Sequence, residues 1–121
     1  MDKLWQLMEK GAEKTKPSSW AFLDTHDDGK LCACALGAAA YALSDPDTNE
    51  LNYNETFEII KKHLGISLDE INDYHLDEKF KADFEAARPD DDLPNFEGWV
   101  MYINDYRSRE EAIQFVKDNN I

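Results

Sequence analysis

The stretch that decides the fold is LCACALGAAAYAL, residues 31–43. It is apolar nearly all round, and the helix-breaking residues SDP follow it at 44–46. A helix that is apolar on every side is typical of a buried element rather than a surface one. We therefore predict a central helix from Leu31 to Leu43, in which the alanines and Gly37 let neighbouring helices approach closely.

Five further helices are predicted from apolar spacing and capping patterns. Two of them begin with a capping box, in which a serine is followed by a glutamate three residues later, at Ser67–Glu70 and at Ser108–Glu111. Another has Asn54 as its predicted N-cap and ends at Gly65. The remaining two cover residues 1–14 and the segment HLDEKFKADFEAAR, residues 75–88.

The segment LPNFEGWVMYINDYR, residues 93–107, has a composition typical of strands. We predict an extended buried segment here, with a two-stranded ribbon as the alternative, and a turn at Asn104-Asp105. A short turn capped by Ser18 or Ser19 is expected to present Trp20, Phe22 and Leu23 to the core. The overall prediction is an all-α fold, with at most a minor two-stranded ribbon, in which residues 1–121 form a single-domain helical bundle around the central helix.

The charge of the chain restricts its partners. Its 121 residues carry 26 acids and 13 bases, a net charge of −13, while 42% hydrophobic residues favour a folded globule. Direct nucleic-acid binding needs basic side chains, so it is excluded here, and anionic membrane surfaces are disfavoured for the same reason. We expect a cytoplasmic protein, because the first residues lack a signal-peptide core and no apolar run is long enough to span a membrane.

The two cysteines, Cys32 and Cys34, are predicted to be core residues. On one helix their side chains would point about 200° apart, and no second ligand pair is present to complete a zinc site. A nucleophilic thiolate would be opposed by the acids around His26. Free cysteines this close together also fit a reducing compartment.

The loop DTHDDGK, residues 24–30, superficially resembles a calcium loop. Counted with its first aspartate as position 1, the twelfth position is Ala35, where a calcium loop needs a glutamate, so a polar turn at Asp28-Gly29 is predicted instead. We predict no metal, no cofactor and no catalytic residues, and we expect that the protein is not an enzyme.

Acidic residues are concentrated between Ser67 and Glu97, which we call the acidic segment. It holds eleven acids and three bases, a net charge of −8. Such a run is often only a solvated face. The functional alternative is an electronegative surface that engages a basic protein partner, itself a nucleic-acid-binding protein, as an inhibitor or modulator. The predicted partner-binding residues are Asp69, Asp73, Asp77, Asp90, Asp91 and Asp92.

A second hypothesis belongs to a different functional class. Cys34, Trp99, Asn104 and Asp105 would form a pocket if the two segments that carry them meet in space. The protein would then be a small-ligand-binding domain or an enzyme that uses this region. The sequence alone leaves the oligomeric state and the identity of any partner open.

Two blocks of the chain, CALGAAAYA at 34–42 and INDYRSREEAIQFVKD at 103–118, are similar to a family of small uncharacterised bacterial and phage proteins. The family shares a Cys-Ala-Leu-Gly-Ala helix, matched by residues 34–38, and a downstream Asn-Asp turn before a closing helix, matched by Asn104 and Asp105. The acidic helices between Ser67 and Arg88 have no counterpart in it. The resemblance implies a helical fold and a cytosolic setting, and no activity is established for the family.

Overall fold

Six helices and a small three-stranded sheet make up the computed structural model, which describes residues 1–19 and 21–121. The protein is therefore mostly helical with a minor sheet, and the predicted all-α fold omitted that sheet. The expected position of Trp20 lies outside the described residues. In chain order the elements are α1 (Leu4–Ala12), β1 (Lys16–Pro17), β2 (Leu23–Thr25), β3 (Leu31–Ala33), α2 (Ala35–Ala42), α3 (Tyr53–Leu64), a 3₁₀ turn (Leu68–Glu70), α4 (Glu78–Ala87), α5 (Phe96–Tyr106) and α6 (Arg109–Asp118).

The predicted central helix is present, but its first part was wrong. Residues 31–33 form β3, and α2 begins only after Cys34, which has an extended backbone and serves as the N-cap. Residues 31–33 pair with two other strands, which provide hydrogen-bond partners for their backbone groups. Their apolar side chains are continuous in sequence with those of the helix. Cys32 and Cys34 therefore do not share a helix.

The helix α2 is buried as predicted, and its small residues allow direct contact between backbones. Residues 35–40 are all buried. A methyl group on Gly37 would overlap the backbone carbonyl of Phe22, and one on Gly11 of α1 would overlap that of Ala38. Only glycine fits at either position, because the facing atoms belong to the backbone and cannot rotate away.

The sheet has the strand order β1-β3-β2. β1 pairs with β3 in parallel, and β2 pairs with β3 antiparallel through a hairpin turn in which Gly29 has a φ of 79°. The turn predicted at Asp28-Gly29 is therefore present, with the carboxylate of Asp28 accepting a hydrogen bond from the backbone of Lys30 at 2.9 Å. The ribbon considered for residues 93–107 does not exist.

That segment forms the helix α5 instead. Asn95 caps it by accepting a hydrogen bond from the backbone of Gly98 at 2.8 Å. Its buried apolar residues are Phe96, Trp99, Val100 and Ile103, which follow the spacing of one helix face. Asn104 and Asp105 consequently lie within the last turns of a helix, and the turn predicted for them is wrong.

The remaining helix predictions were confirmed in part. Ser108 caps α6 as predicted, because its hydroxyl accepts a hydrogen bond from the backbone of Glu111 at 3.0 Å. The reciprocal bond of the capping box is absent, since the hydroxyl rather than the backbone of Ser108 donates to the carboxylate of Glu111, at 3.2 Å. The box at Ser67 was wrong, because that serine makes no side-chain cap and only a 3₁₀ turn follows. Asn52, rather than Asn54, caps α3, while Gly65 ends that helix in the left-handed conformation at φ 76°.

Candidate functional site

A groove of about 440 Å³ lies where the first turn of α2 meets α5. Among the described residues, five aromatic side chains line it, together with backbone and small side chains of α2, and we call it the aromatic groove. Three of the four residues predicted to form a pocket, Cys34, Asn104 and Asp105, are in its wall. The five lining rings are Phe22, Tyr53, Phe84, Tyr102 and Tyr106.

The rings of the groove pack against one another at its two sides. On one side Phe22 meets Tyr53 edge-on at 5.7 Å between ring centroids. On the other side Tyr102 packs on Tyr106 at 5.0 Å and meets Phe84 at 5.4 Å. Tyr53 and Tyr106 are 49% and 52% exposed, so apolar ring surface remains open to solvent at the mouth of the groove.

Cys34 has a structural role in the groove wall. Its thiol accepts a hydrogen bond from the backbone of Gly37 at 3.3 Å and so caps α2. Burial, aided by the negative charge of Asp105, raises the pKa of Cys34 to about 11. The thiol is therefore protonated at neutral pH, and this is not the thiolate state that a nucleophile or a metal ligand requires.

Asn104 is buried, and its amide joins three parts of the chain. Its Oδ1 accepts a hydrogen bond from the backbone of Ala35 at 3.0 Å, at the first residue of α2. Its Nδ2 donates to the backbone carbonyl of Ser18 at 2.9 Å and to the carboxylate of Asp105 at 3.0 Å. The amide therefore fixes α5 against α2 and orients the carboxylate of Asp105 at the groove wall.

Trp99 lies in the core rather than in the groove. It is 2% exposed, and its ring packs edge-on against Phe84 and Tyr102 at 5.4 and 5.8 Å. It supports these two lining residues from behind and is not itself among the described lining residues. The structure therefore does not bring it together with Cys34, Asn104 and Asp105 in the groove wall.

Several carboxylates lie on or next to the segments that line the groove. Glu97 accepts a hydrogen bond from the hydroxyl of Tyr53 at 2.7 Å; this bond, then burial and the charges of Glu97 and Asp69, raises the pKa of Tyr53. Residues 89–93, which include three aspartates, connect two lining residues, Arg88 and Pro94. We use the term acidic rim for six carboxylates: that of Asp105, which lines the groove, those of Glu97 and Asp69, which act on the lining residue Tyr53, and those of Asp90, Asp91 and Asp92 in the loop.

Little positive charge balances the acidic rim. Arg88 is the one base among the described lining residues, and it donates a hydrogen bond to the hydroxyl of Tyr106 at 3.0 Å. The ion pairs of the described chain involve other acids, namely Asp2, Asp28, Asp77, Asp83 and Glu111. Asp69, the three loop aspartates and Glu97 thus form no ion pair with described residues.

The six predicted partner-binding aspartates are all exposed, but they do not form one group. Asp69 and Asp90–Asp92 belong to the acidic rim. Asp77 is the N-cap of α4 and accepts a hydrogen bond from the backbone of Lys79 at 3.0 Å. Its neighbours include His75 and Glu111, on another surface. Asp73 lies in the irregular stretch between the 3₁₀ turn and α4.

Sequence reasoning missed a buried cation behind the groove. The guanidinium of Arg109 donates to the backbone carbonyls of Ala33 and Thr15 at 3.1 and 3.0 Å and to the hydroxyl of Thr15 at 2.9 Å. It also donates to the last carbonyl of α1 at 3.3 Å, where the helix dipole favours a cation. No sequence signal marks this residue, because these acceptors are backbone groups distant in sequence.

Sequence reasoning also missed the groove tyrosines, although a signal for two of them existed. Tyr102 and Tyr106 are four residues apart, so they share a face once residues 96–106 are recognised as a helix. Tyr53 gave no such signal, because its ring reaches the groove through tertiary packing against Phe22.

Metal binding and membrane spanning find no support in the described residues. Across residues 1–19 and 21–121, no three side chains of His, Cys, Asp or Glu converge in a way that would hold an ion. Cys32 is buried in β3 opposite Asp24, and its thiol donates to the backbone carbonyl of Asp24 at 3.5 Å. Within the same residues, no helix combines the length and the apolar character needed to cross a membrane.

Comparisons with known proteins leave the family of the chain open. No family model, no curated protein and no solved structure matches it. The similarity of residues 34–42 and 103–118 to small bacterial and phage proteins therefore remains a prediction.

Proposed function

We propose that the protein is a small acidic binding protein, which engages a basic protein partner through its electronegative surface and thereby inhibits or modulates it. The observation that carries the proposal is the acidic rim. Its loop aspartates, with Asp69 and Glu97, are not neutralised by ion pairs within the described chain. Carboxylate charge that no ion pair neutralises accelerates and directs the encounter with an oppositely charged protein.

The proposed partner is basic and is itself a nucleic-acid-binding protein, because a surface that attracts such a protein resembles the polyanion it normally binds. The net charge of −13 opposes binding to nucleic acid directly. The two free cysteines fit an encounter in the reducing cytoplasm.

The test is capture from a bacterial lysate on immobilised protein at low ionic strength. We expect a basic protein to be retained and then released by added salt, because screening weakens interactions between exposed charges. A variant with Asp90, Asp91 and Asp92 changed to Asn should lose the capture. The matched control changes three exposed acids of α1 and its C-cap and of α3, Glu9→Gln, Glu13→Gln and Glu58→Gln, and should retain it.

Two results would contradict the proposal. Equal loss in the loop variant and in the control would show that total charge, rather than the rim, attracts the retained protein. Capture that is indifferent to salt, or no capture at all, would remove the electrostatic basis of the proposal.

A second candidate is supported by one specific observation, the convergence of Cys34, Asn104 and Asp105 in a groove of about 440 Å³. A volume of this size suits a small organic ligand. The protonated thiol of Cys34 favours ligand binding over covalent catalysis. If a ligand raises the melting temperature of the wild type but not of an Asp105→Ala variant that is folded, this second function is supported. A loss of stability alone, without any ligand effect, would refute it.

A further inference from the structure

The exposed apolar side chains of the described chain are concentrated near the aromatic groove. Five large hydrophobic residues are exposed among those described, of which Met1 is terminal and Ile66 follows the end of α3. Tyr53 and Tyr106 line the groove, while Leu93, at 49% exposure, lies next to the lining residue Pro94 in the loop that carries Asp90–Asp92. Apolar surface that stays exposed around a concave site is typical of an interaction surface.

The charge around the groove determines what would complement it. The acidic rim supplies six carboxylates, and the guanidinium of Arg88 is already bonded to Tyr106. An anionic or neutral occupant would bring no positive charge to the five rim acids that form no ion pair with described residues, namely Asp69, Asp90, Asp91, Asp92 and Glu97. A segment with lysine or arginine on both sides of an apolar residue would match both the rim and the lining rings.

We infer that the aromatic groove receives one apolar anchor side chain from a lysine- or arginine-rich segment of the protein partner, while the flanking bases of that segment meet the acidic rim. The inference rests on the proposed function and adds the recognition element to it. Binding sites between proteins commonly concentrate their energy in one such anchor, held in a pocket and surrounded by polar contacts. The rim alone would attract many polycations, whereas the groove selects those that carry the anchor.

The experiment uses the full chain and two synthetic peptides. The first is a lysine-rich dodecapeptide with a single central phenylalanine, and the second has serine in place of that phenylalanine. Burial of a phenylalanine side chain predicts that the first peptide binds about tenfold more tightly by titration calorimetry. A lysine-free glutamate peptide with the same phenylalanine should not bind.

The three methionines of the chain report where the peptide sits. Met101 lines the groove, Met8 is fully buried in the core, and Met1 is fully exposed. In a spectrum of ¹³C-labelled methionine methyl groups, the phenylalanine peptide should shift the signal of Met101 and leave those of Met8 and Met1 unchanged. The serine peptide should leave all three unchanged.

Variants distinguish the contribution of the aromatic groove to peptide binding from that of the acidic rim. Met101→Gln preserves the side-chain length and should reduce the tenfold preference for the phenylalanine peptide, while its affinity for the serine peptide stays the same. The rim variant, with Asp90, Asp91 and Asp92 changed to Asn, should weaken both peptides equally and keep the preference. The control with Glu9, Glu13 and Glu58 changed to Gln should affect neither peptide.

The remaining outcomes each decide a question. Equal binding of the two lysine peptides, with Met101 unmoved and binding lost in the rim variant, overturns the inference but leaves the proposed function standing. If neither lysine peptide binds, both are overturned. If the Met101 signal shifts with protein concentration alone, a second copy of the chain occupies the groove, and the inference fails.

Discussion

Two regions that form the walls of the aromatic groove are built in opposite ways. The helix α2 has no charged residue, and six of its eight residues are buried with backbone lying against backbone. The acidic segment, residues 67–97, carries a net charge of −8, and most of its acids are exposed. The first wall therefore tolerates almost no substitution, while the second can change charge and shape at little cost in stability. Partner choice is thus expected to reside in the acidic segment.

The largest effect is expected from substitution of the tightest glycine. Gly37→Ala places a methyl group on the backbone carbonyl of Phe22, so α2 and the chain before β2 must separate. We expect a loss of about 3 kcal/mol or more in the free energy of unfolding, measured by urea titration.

Gly65→Ala is the matched control for this prediction. A methyl group there meets no atom within 4 Å, and the cost arises only from its φ of 76°. That cost is about 1 kcal/mol. Equal losses of unfolding free energy at the two glycines would show that α2 is not held by direct backbone contact. The two walls of the groove would then not differ in their tolerance to substitution.

A second prediction concerns the thiol at the first turn of α2. Burial, together with the charge of Asp105, raises the pKa of Cys34 from its ordinary 9.0 to about 11. The unfolded chain therefore loses this proton at a lower pH than the folded chain does. Below pH 9 the neutral thiol makes its full contribution to the free energy of unfolding, and this contribution is lost as the pH rises through about 11. We expect this loss to amount to about 2 to 3 kcal/mol.

The measurement compares the wild type with Cys34→Ser across this pH range. Serine also caps helices well, so the variant is expected to fold. The tyrosines whose pKa is raised, Tyr53 and Tyr74, titrate in both proteins, and their effect cancels in the difference. A constant difference in unfolding free energy from pH 8 to pH 11 would contradict the buried, protonated state of the thiol.

Local signals in the sequence were sufficient wherever a helix begins with a side-chain cap and shows one apolar face. α6 illustrates this, because Ser108 and Glu111 marked its start. The signals failed for α5, where the half-buried Met101 and Tyr102 lie between buried Trp99, Val100 and Ile103 and hide the helical period. They also failed for β3, because a strand of three residues is specified by its partners rather than by its own pattern.

The candidate site was predictable to a similar extent. The sequence suggested that the segments of Cys34 and Asn104 meet, and the hydrogen bond from Ala35 to Asn104 joins them. It gave no indication that Tyr53 would reach the same groove, or that Asp69 and Glu97 would lie near one another at its mouth. Those positions depend on how α3, the 3₁₀ turn and α5 pack, and no short-range pattern encodes that packing.

The smallest effect is expected inside the acidic segment, and it divides the aspartates that the sequence placed in one group. Asp77 caps α4 through the backbone of Lys79, so Asp77→Ala should cost about 1 kcal/mol in unfolding free energy. Asp90 and Asp92 accept no hydrogen bond from described residues, and the neighbouring turn at Asp91 uses only its backbone N–H. Asp90→Ala should therefore change the stability by less than about 0.5 kcal/mol.

Partner binding should show the reverse order. Asp90→Ala removes a rim charge and should weaken the lysine peptides, whereas Asp77→Ala should leave their affinity unchanged, because Asp77 lies beside α6 rather than at the groove. If the variants were to lose stability and affinity in parallel, the acids would act through the fold. Opposite orders in the two measurements would separate the one aspartate that builds α4 from those that remain available to a partner.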